Sequence, residues 1–344
     1  MASHYRTAPG RRRRHRVSDF DRLVAHIRAG HTFVLASHQR PDGDAVGSAV
    51  GMALALRSIG KRAEVVMDAP PPHFLQPFPD VGNILITNEV TTQYDGALIM
   101  ECSSLDRTGI TGLDRSPVLN IDHHIGNTGY GTINWVDESA AACGELVFTL
   151  IEALDAPLTR DVATHVYLAL LTDTGSFHYS HLSPRSFEIA RRCVEAGASP
   201  QWVASTHYDS STVGRVRIFG SVLNGMQLDP SGRVAMLSIT REQAAAAGAT
   251  YDETDGIVNF PMSVKDISAV AFFKEVGPAD WRVSMRSKGV VDVGAIARAY
   301  GGGGHKNAAG CSVTGELAEV QRVFVDLLVR ATDEATATES HNNH

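Results

Sequence analysis

The stretch Thr32-Phe33-Val34-Leu35-Ala36-Ser37-His38-Gln39-Arg40-Pro41-Asp42-Gly43-Asp44 changes character halfway. Its first six residues are an apolar run rich in strand formers, and its last seven set a histidine and two aspartates on a turn-forming sequence. Residues 45–59, small and apolar, then predict a helix that stops at Gly60. Working outward, residues 63–67, 96–100 and 118–121 read as further buried strands. Residues 18–29, 144–154, 160–172 and 183–195 read as helices, the last opened by Ser183 and Pro184 and closed by Gly197. Strands alternating with helices predict an α/β fold, a parallel sheet with helices on both faces, in which ligands collect at the carboxyl ends of the strands.

The second half reads differently. Residues 200–225 are polar, then mildly amphipathic, and look like a connector; 234–240, 267–276 and 281–286 look like strands, and 293–300 and 317–330 like helices. The expected division is a basic, disordered tail at 1–17, a first domain at 18–205, a connector at 206–225, a smaller α+β domain at 226–332 across a cleft, and a disordered tail at 333–344. A chain of 344 residues, 43% hydrophobic and 20% charged, fits two globular domains. No apolar run nears the ~20 residues of a spanning helix, and the arginine-rich start is not followed by an apolar stretch, so a cytoplasmic location is expected. Net charge is −7 even with six arginines and no acid among the first sixteen residues. Such an acidic body grips long nucleic acid poorly, so a polyanionic partner should be short and held by local cations or metal. Cys102, Cys143, Cys193 and Cys311 form no Cys-x-x-Cys pair and fit neither a disulfide framework nor a thiolate zinc site.

Alone, Pro41-Asp42-Gly43 would be an ordinary turn with Asp44 as a helix cap. Three other element ends carry matching groups: Glu101 after the strand at 96–100, Asp122-His123-His124 after 118–121, and Asp173 in Thr172-Asp173-Thr174-Gly175. Carboxylates with imidazoles and no thiol suit Mn²⁺ or Mg²⁺ better than structural zinc. His38, Asp42, Asp44, Glu101, His123 and Asp173 are too many for one open metal site but suit two cations sharing a carboxylate, a pair that activates water and steadies charge on a phosphoryl oxygen. Asp122 reads as the carboxylate that orients a ligand imidazole. Gly301-Gly302-Gly303-Gly304-His305 matches neither a dinucleotide fingerprint nor a P-loop. Between an expected helix and strand it reads as a turn whose bare N–H groups approach phosphate. Arg286 would clamp a phosphate, with Lys288 a weaker candidate. No nucleophile elbow or triad is present.

These residues resemble the DHH phosphoesterase family, named for its Asp-His-His motif. Gly301–His305 with Asn307-Ala308-Ala309-Gly310 is similar to the signature of the DHH-associated C-terminal domain, and the pairing resembles bacterial nanoRNases that also dephosphorylate 3′-phosphoadenosine 5′-phosphate (pAp). The resemblance implies that His38 and Asp42 hold one metal, Asp44, His123 and Asp173 the other, and Glu101 bridges. It implies that His124 faces the scissile phosphate, and that Arg286 and Gly302, Gly303, Gly304 and His305 bind substrate. The family generally has aspartate where this chain has Glu101, which keeps the charge and adds a methylene. The expectation is a two-metal phosphoesterase, most simply with Mn²⁺ and alternatively Mg²⁺, acting on short oligoribonucleotides such as pApA and on pAp. Close relatives also cleave linear or cyclic di-adenylate. The expected protein is a homodimer that binds neither long duplexes nor membranes. Two alternatives stay open: a DHH-type inorganic pyrophosphatase, and a catalytically weak cyclic-dinucleotide sensor with a degenerate Glu101 site.

Overall fold

The computed structural model describes residues 18–178, 182–254 and 256–342, with the side chains of residues 251, 252, 305 and 336–342 outside that set. The expected basic tail at 1–17 lies outside the described residues. The chain divides into two compact units after Ser210.

In the first unit, α1 (Asp19–Ala29), β1 (Thr32–Ala36), α2 (Gly43–Ser58), β2 (Arg62–Met67), β3 (Leu85–Ile86), β4 (Gly96–Met100), β5 (Val118–Asp122), β6 (Ile133–Val136), α3 (Cys143–Ala153), α4 (Arg160–Asp173), α5 (Pro184–Glu195) and α6 (Pro200–Tyr208) follow one another. The strands form one parallel sheet in the order β3-β2-β1-β4-β5-β6. The order reverses between β1 and β4, the place where open parallel sheets hold ligands.

Side-chain alternation along the strands decides what covers each face. Phe33, Leu35, Leu98, Met100, Leu119 and Ile121 join the helices in one large core. Val34, Ala36, Ala97 and Ile99 point the other way, onto Cys102, Ile110 and Leu113. Among the described residues, no α-helix contributes to that second cluster. The expected helices on both faces are thus corrected: α-helices flank one face, and residues 101–117 cover the other with 3-10 turns at Leu105–Thr108 and Leu113–Arg115. Left-handed glycines at Gly109 and Gly112 keep those turns from growing into a helix.

Close helix packing positions the elements that carry the acidic residues. Gly47 of α2 lies against α4 so tightly that a Cβ would sit 2.6 Å from the His165 carbonyl oxygen and 3.0 Å from the Ala169 nitrogen. Asp42 caps α2, its Oδ1 accepting the Ala45 N–H at 3.0 Å. The capping aspartate is therefore Asp42, and Asp44 is freed to turn inward.

The second unit contains α7 (Val213–Asn224), β7 (Gln227–Leu228), β8 (Val234–Ile239), α8 (Arg241–Ala246), α9 (Asn259–Met262), β9 (Ala269–Gly277), β10 (Asp280–Ser287), α10 (Val293–Ala299), β11 (Gly303–His305), β12 (Ala308–Thr314) and α11 (Leu317–Asn342). Its sheet runs β11-β12-β10-β9-β8-β7, antiparallel except for the β8–β9 pair. Ala269, Ala271 and Phe273 face Phe324 and Leu328 of α11, while Val270 and Phe272 face Ile218 and Val222 of α7.

Two boundaries differ from expectation. The supposed connector at 206–225 holds the whole of α7, which Ile218 and Val222, one helical turn apart, bury in the second unit. The supposed disordered tail continues α11 to Asn342: Leu328 and Thr332 are buried, and Arg233 pairs with Asp333. Among the described residues, no helix is long and apolar enough to cross a membrane.

Candidate metal centre

Four element ends of the first unit bring Asp44, Glu101, His123 and Asp173 together, with one potential ligand atom from each lying within 4.8 Å of the others. Asp44 is fully buried in the first turn of α2. Its Oδ2 accepts the Cys143 N–H at 2.7 Å, and its Oδ1 accepts the Gly144 N–H at 3.1 Å and the Ser48 hydroxyl at 2.8 Å. The N-terminus of α3 thus holds this carboxylate in place. Burial first, then the charges of Glu101 and Asp173, still push Asp44 well above the usual carboxylate range.

His123 follows β5. Its Nδ1 lies 3.0 Å from the Ala140 carbonyl oxygen, which can only accept, so the proton sits on Nδ1 and Nε2 faces the acids. That Nε2 is 3.2 Å from Glu101 Oε2, 3.3 Å from Asp173 Oδ2 and 4.0 Å from Asp44 Oδ2. Burial alone lowers an imidazole. Here the hydrogen bond and charge of Glu101, with Asp44 and Asp173, outweigh it and push His123 up to about 11. Asp173, the last residue of α4, is pushed up to about 6 by burial and then by the Glu101 charge.

Glu101 directly follows β4 with a left-handed backbone, φ +54°, and is 2% exposed. Its Oε1 is 3.5 Å from His124 Nε2, so the side chain spans both imidazoles of the motif. Its Oε2 is buried and makes no hydrogen bond, its one close charged neighbour among the described residues being His123 Nε2 at 3.2 Å, whose hydrogen bond goes to Oε1. Leaving a carboxylate oxygen so placed is costly unless a cation meets it. Three acids around one imidazole, with an orphaned carboxylate oxygen among them, fit a hard divalent cation.

His38 and Asp42 form a separate pair at the open side. His38 Nε2 is 4.0 Å from Asp42 Oδ1, and the pair lies outside the four-residue cluster. Asp42 is nonetheless near enough for its charge to raise both Asp44 and Asp173.

Asp122 is buried, and its partner differs from expectation. It orients His124 rather than His123: Oδ1 is 2.9 Å from His124 Nδ1 and accepts the His123 N–H at 2.9 Å. The carbonyl of Ala140 does for His123 what the sequence had suggested for Asp122. Burial raises Asp122, but hydrogen bonds from His124 and Asn127 outweigh it and hold the carboxyl below its usual range. His124 is raised, chiefly by the bond to Asp122. Nothing in the sequence singles out Asn127, whose Nδ2 donates to Asp122 Oδ2 at 2.6 Å, because a lone amide three residues past a motif is ordinary loop composition.

In the second unit, Arg286 of β10 is half-buried. Its Nη1 donates to its neighbour Met285's carbonyl at 3.1 Å, and no carboxylate among the described residues pairs with it. Lys288 instead donates to the Val264 carbonyl at 2.6 Å. The glycine run is corrected from a phosphate-cradling turn to a hairpin: Gly303, Gly304 and His305 form β11, paired with Gly310, Ala309 and Ala308. The Gly302 N–H donates to the Ala297 carbonyl at 2.8 Å and is spent on closing α10. A Cβ on Gly302 would sit 2.2 Å from the Gly310 oxygen, whereas one on Gly303 would meet nothing within 4 Å. Packing accounts for Gly302; Gly303 has no such constraint. The expectation for the His305 side chain falls outside the described set.

Residues 32–170 match the DHH family N-terminal domain, and residues 233–331 match the DHHA1 domain. The chain is 32% identical, over 82% of its length and 84% of the relative's, to the bifunctional oligoribonuclease and PAP phosphatase NrnA of Thermus thermophilus. An exopolyphosphatase-related protein of Bacteroides fragilis superposes with a TM-score of 0.84 at 24% identity, covering 92% of this chain and 97% of that one. The exonuclease RecJ bound to manganese superposes with a TM-score of 0.50 at 14% identity, covering 92% and 95%. With both domain models matched in order and a relative of this similarity along most of its length, the chain belongs to the DHH family, its DHH domain followed by a DHHA1 domain.

Proposed function

We propose that this protein is a two-metal phosphoesterase that hydrolyses short oligoribonucleotides and the 3′-phosphate of pAp. The observation that carries the reading is the convergence of Asp44, Glu101, His123 and Asp173 around the orphaned Glu101 Oε2, in a chain that resembles an oligoribonuclease and PAP phosphatase along most of its length. In this reading His38 and Asp42 would hold one divalent cation, Asp44, His123 and Asp173 would hold the second, and Glu101 would serve both; the oxygen-rich donor set favours Mn²⁺ or Mg²⁺. Bound cations there supply charge stabilisation at a phosphoryl oxygen and acidify water.

The protein's own groups do the rest. Backbone N–H groups at the start of α3 fix Asp44, and the Ala140 carbonyl keeps the His123 proton on Nδ1 so that Nε2 is offered as a ligand. Asp122 holds a proton on His124 Nδ1 and, with Glu101, raises the imidazole, so that in its protonated form Nε2–H is a donor for the substrate phosphate. Arg286, without a carboxylate partner among the described residues, is the second unit's nucleotide-phosphate contact, with Gly303 and His305 on β11, across β12 from β10. A cytoplasmic homodimer suits this substrate class.

The test is phosphate and mononucleotide release from pAp, pApA and a long single-stranded RNA, each with Mn²⁺, Mg²⁺ or EDTA, for wild type and Asp173→Ala. Metal-dependent turnover of the short substrates, lost in Asp173→Ala, is expected. Equal rates on pApA and long RNA refute the short-substrate reading, and tight di-adenylate binding without turnover in saturating Mn²⁺ makes the protein a sensor instead.

A further inference from the structure

We propose that Asn127 is a positioning residue that fixes His124 through Asp122, so that the loop after the Asp122-His123-His124 motif, and not the motif alone, sets the imidazole that meets substrate. The inference rests on the phosphoesterase reading for its kinetic part and on geometry alone for the rest.

The Asn127 amide has one orientation that satisfies its surroundings. Its Oδ1 accepts the Asn120 Nδ2–H at 2.8 Å and the Gly129 N–H at 2.9 Å. Its Nδ2 donates to Asp122 Oδ2 at 2.6 Å and to the Cys102 carbonyl at 3.3 Å. Donors on one side and acceptors on the other leave no stable flipped form. Asn120 is fully buried in β5 and is held in turn by Asn134 of β6, whose Oδ1 lies 3.0 Å from its Nδ2. A line of three asparagines therefore runs from the sheet to Asp122.

Asp122 has no slack left. Oδ2 belongs to Asn127, and Oδ1 faces the His123 N–H, the His124 N–H at 3.3 Å and His124 Nδ1 at 2.9 Å. A carboxylate gripped at both oxygens cannot rotate about its last bond, so the direction in which it holds His124 Nδ1–H is fixed, and His124 Nε2 is aimed toward Glu101. The Cys102 contact adds a second constraint. Cys102 follows Glu101, and its carbonyl also accepts the Tyr130 hydroxyl at 2.9 Å, so the same loop secures the end of β4. Among the described residues, none of the acids of the metal cluster hydrogen-bonds Asn127 directly, which is why its action must pass through Asp122.

The test is a double-mutant cycle on the full-length, Mn²⁺-loaded protein: Asn127→Ala, His124→Ala and the two combined, with pApA as substrate. Asn127→Ala is expected to lower kcat about 10- to 100-fold, with KM and calorimetric Mn²⁺ affinity within about 3-fold of wild type. In the His124→Ala background it should cost less than about 2-fold more, because the two residues act as one unit. Asn127→Ser, which replaces the amide donor with a hydroxyl donor, should recover part of the loss and guards against a misfolded alanine variant. Equal proportional losses in both backgrounds overturn the proposal. A second readout needs no turnover: with ¹⁵N-labelled histidine, the Nδ1–H signal absent from His124→Ala should weaken or move in Asn127→Ala. An unchanged signal there overturns the positioning role, whereas a wild type inert toward every nucleotide substrate overturns the functional reading alone.

Discussion

Gly47→Ala should destabilise the first unit although alanine is the better helix former. Taken as a helix-interior change, the substitution gains about 1 kcal/mol in propensity. Against that, the new Cβ would lie 2.6 Å from the His165 carbonyl oxygen and 3.0 Å from the Ala169 nitrogen, both backbone atoms of α4. Restoring ordinary contact needs about 1 Å of separation, and backbone inside a helix can yield it only by moving the helix. Overpacking of this kind costs about 1–3 kcal/mol, and the rigidity of the obstacle argues for the upper end. The net is a loss of about 1–2 kcal/mol, which for a unit of this size lowers Tm by about 2–8 °C. Gly51→Ala is the internal control: its nearest neighbour, the His165 Cβ, stands further off at 3.1 Å, so the smaller overlap and the propensity gain about cancel and Tm should stay within about 2 °C of wild type. Thermal unfolding in EDTA measures both, and Mn²⁺ titration by calorimetry adds a second reading, since α2 carries Asp42 and Asp44 while α4 carries Asp173. A Gly47→Ala protein as stable as wild type, or a Gly51→Ala protein less stable than Gly47→Ala, would refute the claim that backbone contact sets the α2–α4 spacing.

Asp173 is raised from 3.8 to about 6, so it contributes stability below the usual carboxylate range and loses it as pH rises through about 6. The metal-free protein's Tm should therefore fall between about pH 4 and pH 7; Asp173→Asn should flatten that fall and raise Tm at pH 7.5 while abolishing metal-dependent turnover, and a steeper fall in the variant contradicts the assignment. In the second unit, Gly302→Ala should lower Tm because its Cβ meets the Gly310 oxygen at 2.2 Å, whereas Gly303→Ala, with open space around it, should leave Tm unchanged. Circular dichroism melting separates the two, and equal losses would mean the hairpin packs otherwise.

The sequence was most informative where local chemistry and periodicity agreed. The apolar run at 32–36, the two aspartates after it and the Asp122-His123-His124 turn are each local signals, and the structure places them at strand ends as a parallel sheet requires. What stayed hidden depended on distance. β6, Ile133-Asn134-Trp135-Val136, is only half-buried along most of its length and lacks the apolar run that marked its neighbours. The helix α7 looked like a connector because only two of its residues, Ile218 and Val222, are large, apolar and buried, and their partners lie in β8 and β9. Asp122 had two candidate imidazoles one residue apart, and only the position of the Ala140 carbonyl decides between them. The glycine run showed its permissiveness in the sequence but not its purpose, since the strand that crowds Gly302 comes eight residues later, at Gly310.

Asp42 and Asp173, which the proposed reading assigns to different cations, stand at opposite poles of their helices. Asp42 sits at the start of α2, where its side chain accepts an N–H that would otherwise go without a partner, and Asp173 ends α4, where the helix dipole already presents negative charge. In the proposed reading one acid serves folding and chemistry together, and the other is retained against its folding cost. In a lineage where this activity ceased to matter, drift would not erode the centre evenly. Position 173 would change first, because neutral replacements there relieve the protein, and position 42 would persist as Asp, Asn or Ser long after catalysis was gone. A homologue that keeps the cap at 42 but carries a neutral residue at 173 can therefore be read as one that has outlived its chemistry, and the reverse pattern should be rare.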